Sequence, residues 1–298
     1  MDAADIDGIS SLAASHAQSR RGQTLKAAEI EARAENADDV PSVFGKSICK
    51  RGEGVIMDHP ITGLLIFLIA LYMGLPFLLT RIFGFGVFRK ASRKRAERHV
   101  AFTFDDGPDP RYTPKLLDLL RDRGVKATFF LLGSKAEKYP ELVKRMHEEG
   151  HQIGIHNYTH MLNWIMSPRN IRRKHVERSA DIIERITGER PTYYRPPWGI
   201  LNIMDLFLLR KAYRLVLWSV IARDWKLNTG ERHLRNLLSE HIRPGAVIVL
   251  HDSGDTFGAD RDAPGQMLTV LRDILSEAER RGLKCVRTDE LLNLENAA

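Results

Sequence analysis

Cysteine is almost absent from this chain. Its 298 residues contain only Cys49 and Cys285, far apart and without a CxxC spacing. That excludes a disulfide-stapled scaffold and a thiolate-built zinc site, and the two read as unrelated thiols. A basic surface interleaved with aromatics, the footprint of nucleic-acid binding, is missing as well. Of the net charge of +7, residues 81–98 hold +6, residues 1–58 carry −3, and residues 99–298 carry +4. An excess confined to one short run predicts no nucleic-acid partner. Charge itself is lacking over Ile61–Thr80, ITGLLIFLIALYMGLPFLLT, twenty residues in all. As a helix rising about 1.5 Å per residue this stretch is about 30 Å long, the thickness of a bilayer's hydrocarbon core.

These patterns divide the chain. Residues 57–80 are expected to form a single transmembrane anchor and 81–98 a basic juxtamembrane linker against lipid headgroups. Gly63, Gly74 and Pro76 weaken a straight helix, so a buried core helix or a membrane-surface hairpin is the competing reading. The length of the run, with no small-residue cleavage site after it, argues against a cleavable signal peptide. Residues 1–56, rich in Ala, Ser, Asp and Glu and poor in large apolar residues, are expected as a disordered tail, or as a stretch upstream of a true start at Met57.

From residue 99 to 298 the texture alternates between short apolar runs and amphipathic stretches. Strands are expected in HVAFTF (99–104), KATFFLL (126–132), HQIGI (151–155), near Tyr193–Tyr194, in 214–218 and in AVIVL (246–250). Helices are expected over about 112–123, 139–149 and 167–187, and between and after the later strands. Such alternation predicts an α/β domain built on parallel strands, with reactive groups at the strands' C-terminal ends. Asp105, His156, Arg195 and His251 all fall at such ends.

Asp105 and Asp106 precede Gly107-Pro108, and Asp, Gly and Pro make turns; a turn, however, does not need two carboxylates. His156 and His160, in HNYTH, are four residues apart, a spacing at which two imidazoles reach one cation. With one carboxylate they make a two-His, one-carboxylate set with open positions. That set suits zinc, but also cobalt, nickel, manganese or non-haem iron.

Five motifs then stand in order: TFDDGP (103–108), HNYTH (156–160), YRPPWG (194–199), RDW (223–225) and VLHDS (249–253). In these the chain resembles the polysaccharide deacetylases, the NodB-homology or carbohydrate esterase family 4 enzymes, over about residues 98–293. The resemblance implies a distorted (β/α) barrel and removal of N-acetyl groups from aminosugars of peptidoglycan, chitin-like chains or exopolysaccharide. It implies Asp106, His156 and His160 as ligands of a divalent metal, most simply Zn2+, with Co2+, Ni2+ or Mn2+ as alternatives. Asp105 would be the base that takes a proton from water, with Arg195 beside it, and His251 the acid that protonates the leaving amine, oriented by Asp224. The backbone N–H of Trp198 would help hold the oxyanion, and Trp225 and Leu250 would shape the pocket for the acetyl methyl.

Three positions depart from the family pattern. Asn157 replaces a Ser or Thr, Trp198 a more frequent Tyr, and Ile221 an Asp found in many members. None removes an implied ligand, acid or base. The expected partners are an N-acetylated glycan and membrane lipid, with no protein partner. Orientation is contested. Seven positive residues follow the apolar segment and three (Lys46, Lys50, Arg51) precede it, which taken literally places the domain in the cytoplasm. The reading adopted faces it to the cell wall. The alternatives are a deacylase of a lipid-linked aminosugar at the cytoplasmic face, and a non-catalytic, membrane-anchored glycan-binding protein.

Overall fold

A computed structural model describes residues 60–297; the tail expected over 1–56 lies outside the described residues. The apolar run forms helix α1 (Pro60–Arg81), long and apolar enough to cross a membrane. Every residue from Gly63 to Leu71 is exposed, whereas Pro76 and Thr80 are buried. A buried core helix is therefore not what these residues form.

The domain is a single parallel sheet wrapped by helices. Its strands are β1 (His99–Asp105), β2 (Thr128–Leu131), β3 (Gln152–Ile155), β4 (Tyr193–Tyr194), β5 (Arg214–Leu215), β6 (Val220–Ile221) and β7 (Val247–His251), ordered β5-β4-β3-β2-β1-β7-β6. A short β8 (Lys284–Cys285) pairs with the start of β1. β1 is buried along nearly its whole length, as a strand covered on both faces must be, which is why its sequence is a continuous apolar run.

After the four-residue helix α2 (Arg93–Ala96), the larger helices are α3 (Thr113–Asp122), α4 (Gly133–Lys138), α5 (Pro140–Glu148), α6 (Arg178–Thr187), α7 (Ile203–Leu209), α8 (Glu231–His241), α9 (Ala263–Arg280) and α10 (Thr288–Asn296). α3 buries Leu116, Leu117, Leu119 and Leu120, the positions that announced it. The helix expected over 167–187 runs from Pro168 to Thr187, but Ile171–Glu177 is π-helical.

The basic segment after α1 is part of the folded domain. Phe88 donates to the Leu215 carbonyl at 2.8 Å and accepts from Leu217 at 2.8 Å, while Ala91 donates to Gly245 at 2.9 Å. Phe88 thus bridges to the β5 side of the sheet and Lys90 to Ala246 at the start of β7. Two residues reach both sides, so the sheet is curled towards closure as a distorted barrel. Ala91 and Ala96 are buried, while Lys90, Arg93, Lys94, Arg95 and Arg98 are exposed.

One glycine connects this sheet to the chemistry above it. Gly154 of β3 is the register partner of Phe130 on β2, and a Cβ on it would stand 2.6 Å from the Phe130 ring. The guanidinium of Arg195 lies 4.1 Å from the centroid of the same ring. Gly154→Ala is expected to cost about 1–3 kcal/mol through overpacking. Denaturant unfolding checks this; an unchanged midpoint would show that the ring moves freely.

Candidate active site

The first motif places its two carboxylates differently. Asp105 ends β1 and is the register partner of His251, the last residue of β7. Asp106 follows with φ 74°, in the left-handed region. Asn157 (φ 68°), Trp198 (φ 54°) and Arg223 (φ 54°) share that conformation, so four of the motifs contain a non-glycine residue held there. Such backbone is costly and persists where its surroundings over-determine it.

Asp106, His156 and His160 converge. His156 Nε2 and His160 Nε2 each lie 3.4 Å from Asp106 Oδ1, and the three ligand atoms lie within 4.8 Å of one another. That is long for a hydrogen bond. It matches ligands about 2.0–2.2 Å from a tetrahedral cation, which sit roughly 3.3–3.5 Å apart. Buried Asp106 Oδ1 has no hydrogen-bond partner among the described residues, while Oδ2 accepts from the Thr256 hydroxyl at 2.8 Å. His156 Nδ1 is 2.7 Å from the Arg195 carbonyl; since the carbonyl only accepts, Nδ1 donates and the Nε2 lone pair faces Asp106. The donor set therefore fits a divalent cation.

Charge in the cluster is consistent with that. Burial pushes His160 down to about 4, so its ring is neutral at physiological pH. Burial pushes Asp106 up, but the imidazoles around it and the Thr256 hydroxyl outweigh this and hold it below the usual carboxylate range. One carboxylate and two imidazole nitrogens are the ligands a divalent metal takes in their deprotonated form.

On either side stand a carboxylate and an imidazole, each with its own support. Asp105 Oδ1 accepts from Arg195 Nη1 at 2.6 Å, and the same nitrogen donates to the Thr103 hydroxyl at 2.7 Å. Arg195 is fully buried, and its Nη2 donates to the Leu217 carbonyl at 3.2 Å. Asp224 holds His251 twice, accepting from its backbone N–H at 2.6 Å and lying 3.0 Å from ring Nδ1. Burial alone would push His251 down; Asp224, with Asp106 and Asp105 nearby, pushes it up to about 9.

These groups open on a cavity of about 380 Å³. Asp105, Asp106, His156, His160 and His251 line it, with Trp198 and Trp225. Trp198 packs edge-on against His160 at 4.1 Å and Trp225 against His251 at 5.1 Å. Arg195 and Asp224 sit behind the lining, acting through Asp105 and His251. Leu250 departs from expectation. It is fully buried and belongs to the main core, whereas Val249 lines the cavity. The reason is the strand period, since 249 and 251 share one face of β7 and 250 takes the other. Sequence reasoning also missed Trp218, Thr256 and Phe257 in the lining. Ile221 lines the cavity too, giving an apolar wall where many family members carry Asp.

Asn157 is anchored as well. Its Nδ2 donates to the Asn163 side chain at 2.9 Å, and its Oδ1 accepts from the Tyr194 hydroxyl at 2.9 Å. Asn163 in turn donates to Asp205 at 3.2 Å. A Ser or Thr hydroxyl is too short to make both of Asn157's side-chain links.

A pH test follows from His251. With its folded value near 9 above the unfolded value of about 6.5, the protonated ring contributes stability that is complete below about pH 6.5 and lost as pH rises through about 9. A proton donor here keeps its proton at neutral pH, so activity should fall as pH rises through that region. Asp224→Asn removes the carboxylate charge and should shift the alkaline limb of the kcat/KM profile to lower pH. An unmoved limb would mean that Asp224 does not set the proton affinity of His251.

Known proteins resemble this chain over much of the domain. The polysaccharide deacetylase family profile matches residues 92–211. A peptidoglycan-N-acetylglucosamine deacetylase of Bacillus cereus is 36% identical over 203 residues, covering 67% of this chain and 91% of that protein. Another of the same name and organism is 42% identical over 155 residues, 52% of this chain, which spans 56% of that relative's length. The crystal structure of the peptidoglycan N-acetylglucosamine deacetylase Bc1960 superposes with a TM-score of 0.63 at 32% identity, covering 71% of this chain and 95% of that one. The chain belongs to the polysaccharide deacetylase family, the NodB-homology fold of carbohydrate esterase family 4.

Proposed function

We propose that this protein is a membrane-anchored, divalent-metal-dependent hydrolase that removes N-acetyl groups from aminosugars of a cell-wall-type glycan. The observation that carries the reading is the pairing of Asp105 with His251 on adjacent strands, both opening on the cavity that holds the Asp106, His156 and His160 cluster. Binding a glycan needs no such combination of carboxylate, imidazole and ligand set.

The division of labour follows from what each group touches. Asp106, His156 and His160 would hold the cation, with Zn2+ the proposed metal. When bound, it supplies polarisation of the acetamide carbonyl and acidification of a water. Asp105, fixed by Arg195, takes the proton from the attacking water as its oxygen bonds to the carbonyl carbon. His251, protonated and held by Asp224, gives a proton to the amide nitrogen as the C–N bond breaks. Acetate and a free amine leave. The Trp198 N–H would donate to the oxyanion. Trp225 and Val249, rather than Leu250, would bound the space for the acetyl methyl.

α1 would anchor the domain across a single membrane. The proposed orientation faces the domain to the cell wall, against the charge asymmetry around the apolar segment. A reporter fused after Ala298 checks it; activity confined to the cytoplasm would replace wall glycan with a lipid-linked aminosugar as the substrate.

Acetate release from acetylated chitooligosaccharide and from peptidoglycan tests the chemistry. Asp105→Asn and His251→Ala should each lower kcat by about 10²–10⁴-fold. His156→Ala should raise the metal concentration needed for half-maximal activity, and a chelator should abolish release until Zn2+ or Co2+ is restored. Equal release by wild type and all three variants would remove the mechanism.

A further inference from the structure

α1 is too short to span a bilayer with only its free half. It has 22 residues, about 33 Å of helix, preceded in sequence by Asp58 and His59. The exposed run Gly63–Leu71 is nine residues, about 14 Å of helix against a hydrocarbon core of about 30 Å. Its second half packs on the domain. Pro76 and Thr80 are buried, and Tyr72, Leu75 and Leu79 are half-buried. A spanning α1 therefore carries the part of the domain beside it to membrane depth.

The surface at that place is apolar. α7 buries Asp205, Leu206 and Leu209 yet exposes Met204, Phe207 and Leu208, so the face it turns outward is apolar. An exposed apolar face of that kind calls for a nonpolar medium or partner. Beside it, the turn after α1 exposes Ile82, Phe83 and Phe85, with Phe83 76% exposed. The rings of Phe85 and Phe207 lie 6.2 Å apart, and Arg210 lies 5.0 and 4.8 Å from their centroids. Among the described residues, the other exposed large apolar side chains beyond α1 are Met161, Ile165, Trp198, Ile221, Leu227 and Phe257, of which Trp198, Ile221 and Phe257 line the cavity. The patch continues the exposed apolar surface of α1 through Phe77 and Leu78. Arg210, Lys211 and Arg214 border it, all exposed, and complement anionic headgroups.

We infer that α7 and the Ile82–Phe85 turn form a shoulder that is immersed in the lipid bilayer beside α1. The inference rests on the reading of α1 as a membrane anchor. Its consequence concerns the cavity. Arg81, the last residue of α1, stacks on Trp218 at 4.4 Å, and its Nη2 lies 3.5 Å from the Trp198 carbonyl. Both tryptophans line the cavity. The shoulder sets the catalytic cavity at headgroup level, where it meets sugars carried close to the membrane surface.

The full chain, reconstituted in phosphatidylethanolamine–phosphatidylglycerol vesicles, tests this. Met204→Cys and Leu208→Cys, each in a background with Cys49 and Cys285 replaced by Ser, would carry an environment-sensitive fluorophore, with Arg272→Cys, an exposed position of helix α9, as reference. Acyl-chain spin-labelled lipids should quench the labels at 204 and 208 at least threefold more than the label at 272. Equal quenching at all three sites overturns the inference, as does disulfide capture of two copies through position 204, which would assign the shoulder to a second copy of the chain. Alkaline carbonate separates the two readings. Release of the chain with quenching intact removes the spanning anchor and keeps the shoulder; retention without quenching does the opposite. A Phe207→Glu, Leu208→Glu double variant should release acetate from soluble chitooligosaccharide at the wild-type rate, and from an N-acetylglucosamine-bearing lipid in vesicles at least fivefold more slowly. Equal slowing on both substrates would also overturn the inference.

Discussion

The arrangement depends on one buried charge. Arg195 is fully enclosed, and removing a guanidinium from water costs several kcal/mol unless its donors are satisfied. Here they are. The guanidinium meets the Asp105 carboxylate, the Thr103 hydroxyl and the Leu217 carbonyl, with a longer contact to Val216, and lies over Phe130. Its backbone carbonyl takes the Nδ1 proton of His156, and its own N–H pairs with Ile155 at 2.9 Å. A single residue thus fixes the Asp105 carboxylate and the tautomer of His156, whose Nε2 faces Asp106. β1, β3 and β4 must be in register for these bonds to coexist, so sheet topology and site geometry are one constraint.

A second constraint is backbone strain near that charge. Four non-glycine residues in the motifs hold left-handed backbone, and each is braced. Asp106 is braced through Thr256, and Asn157 through Tyr194 and Asn163. Arg223 is braced through its carbonyl, which accepts from Thr229 at 2.8 Å, while Asp224 beside it grips His251. Trp198 is braced through the tight turn of Pro197–Gly199. Strain of this kind accompanies the burial of the Asp106 and Asn157 side chains, whereas those of Trp198 and Arg223 stay exposed. The bracing network is polar and buried, and it reaches Asp205, which burial pushes up to about 7.

Much of this was legible in the sequence, and what was not has physical reasons. β1, β2, β3 and β7 are buried apolar runs, so composition alone announced them; the leucines of α3 did the same. β6 and β8 are two residues long, too short to carry a period. The Phe88 bridge was hidden because seven basic residues in 81–98 mask the apolar Phe85, Val87 and Phe88 among them. Asp105, His156 and His251 carry reactive groups at strand ends, where the sequence expected them, and the structure lines one cavity with these three, Asp106 and His160. Leu250 was misplaced although the signal was present: once His251 faces the cavity, the alternation of a strand requires that Val249 face it too. Thr256 and Phe257 lie on an irregular loop, where no periodicity indicates which side chains turn inward.

Fold alone would leave a non-catalytic role open, since one scaffold can host binding as well as chemistry. The local energetics argue against it. Asp106 Oδ1 is buried without a hydrogen-bond partner among the described residues, a cost on the order of 1–3 kcal/mol or more for a charged group, which a cation between it and the two imidazoles would remove. Asp224 accepts from the His251 backbone N–H and stands 3.0 Å from its ring Nδ1, and its charge helps push that ring up to about 9. A protein that only held glycan would gain nothing from an uncompensated carboxylate oxygen or a raised proton donor facing it across the same cavity. Both features become intelligible together when an amide is hydrolysed between them.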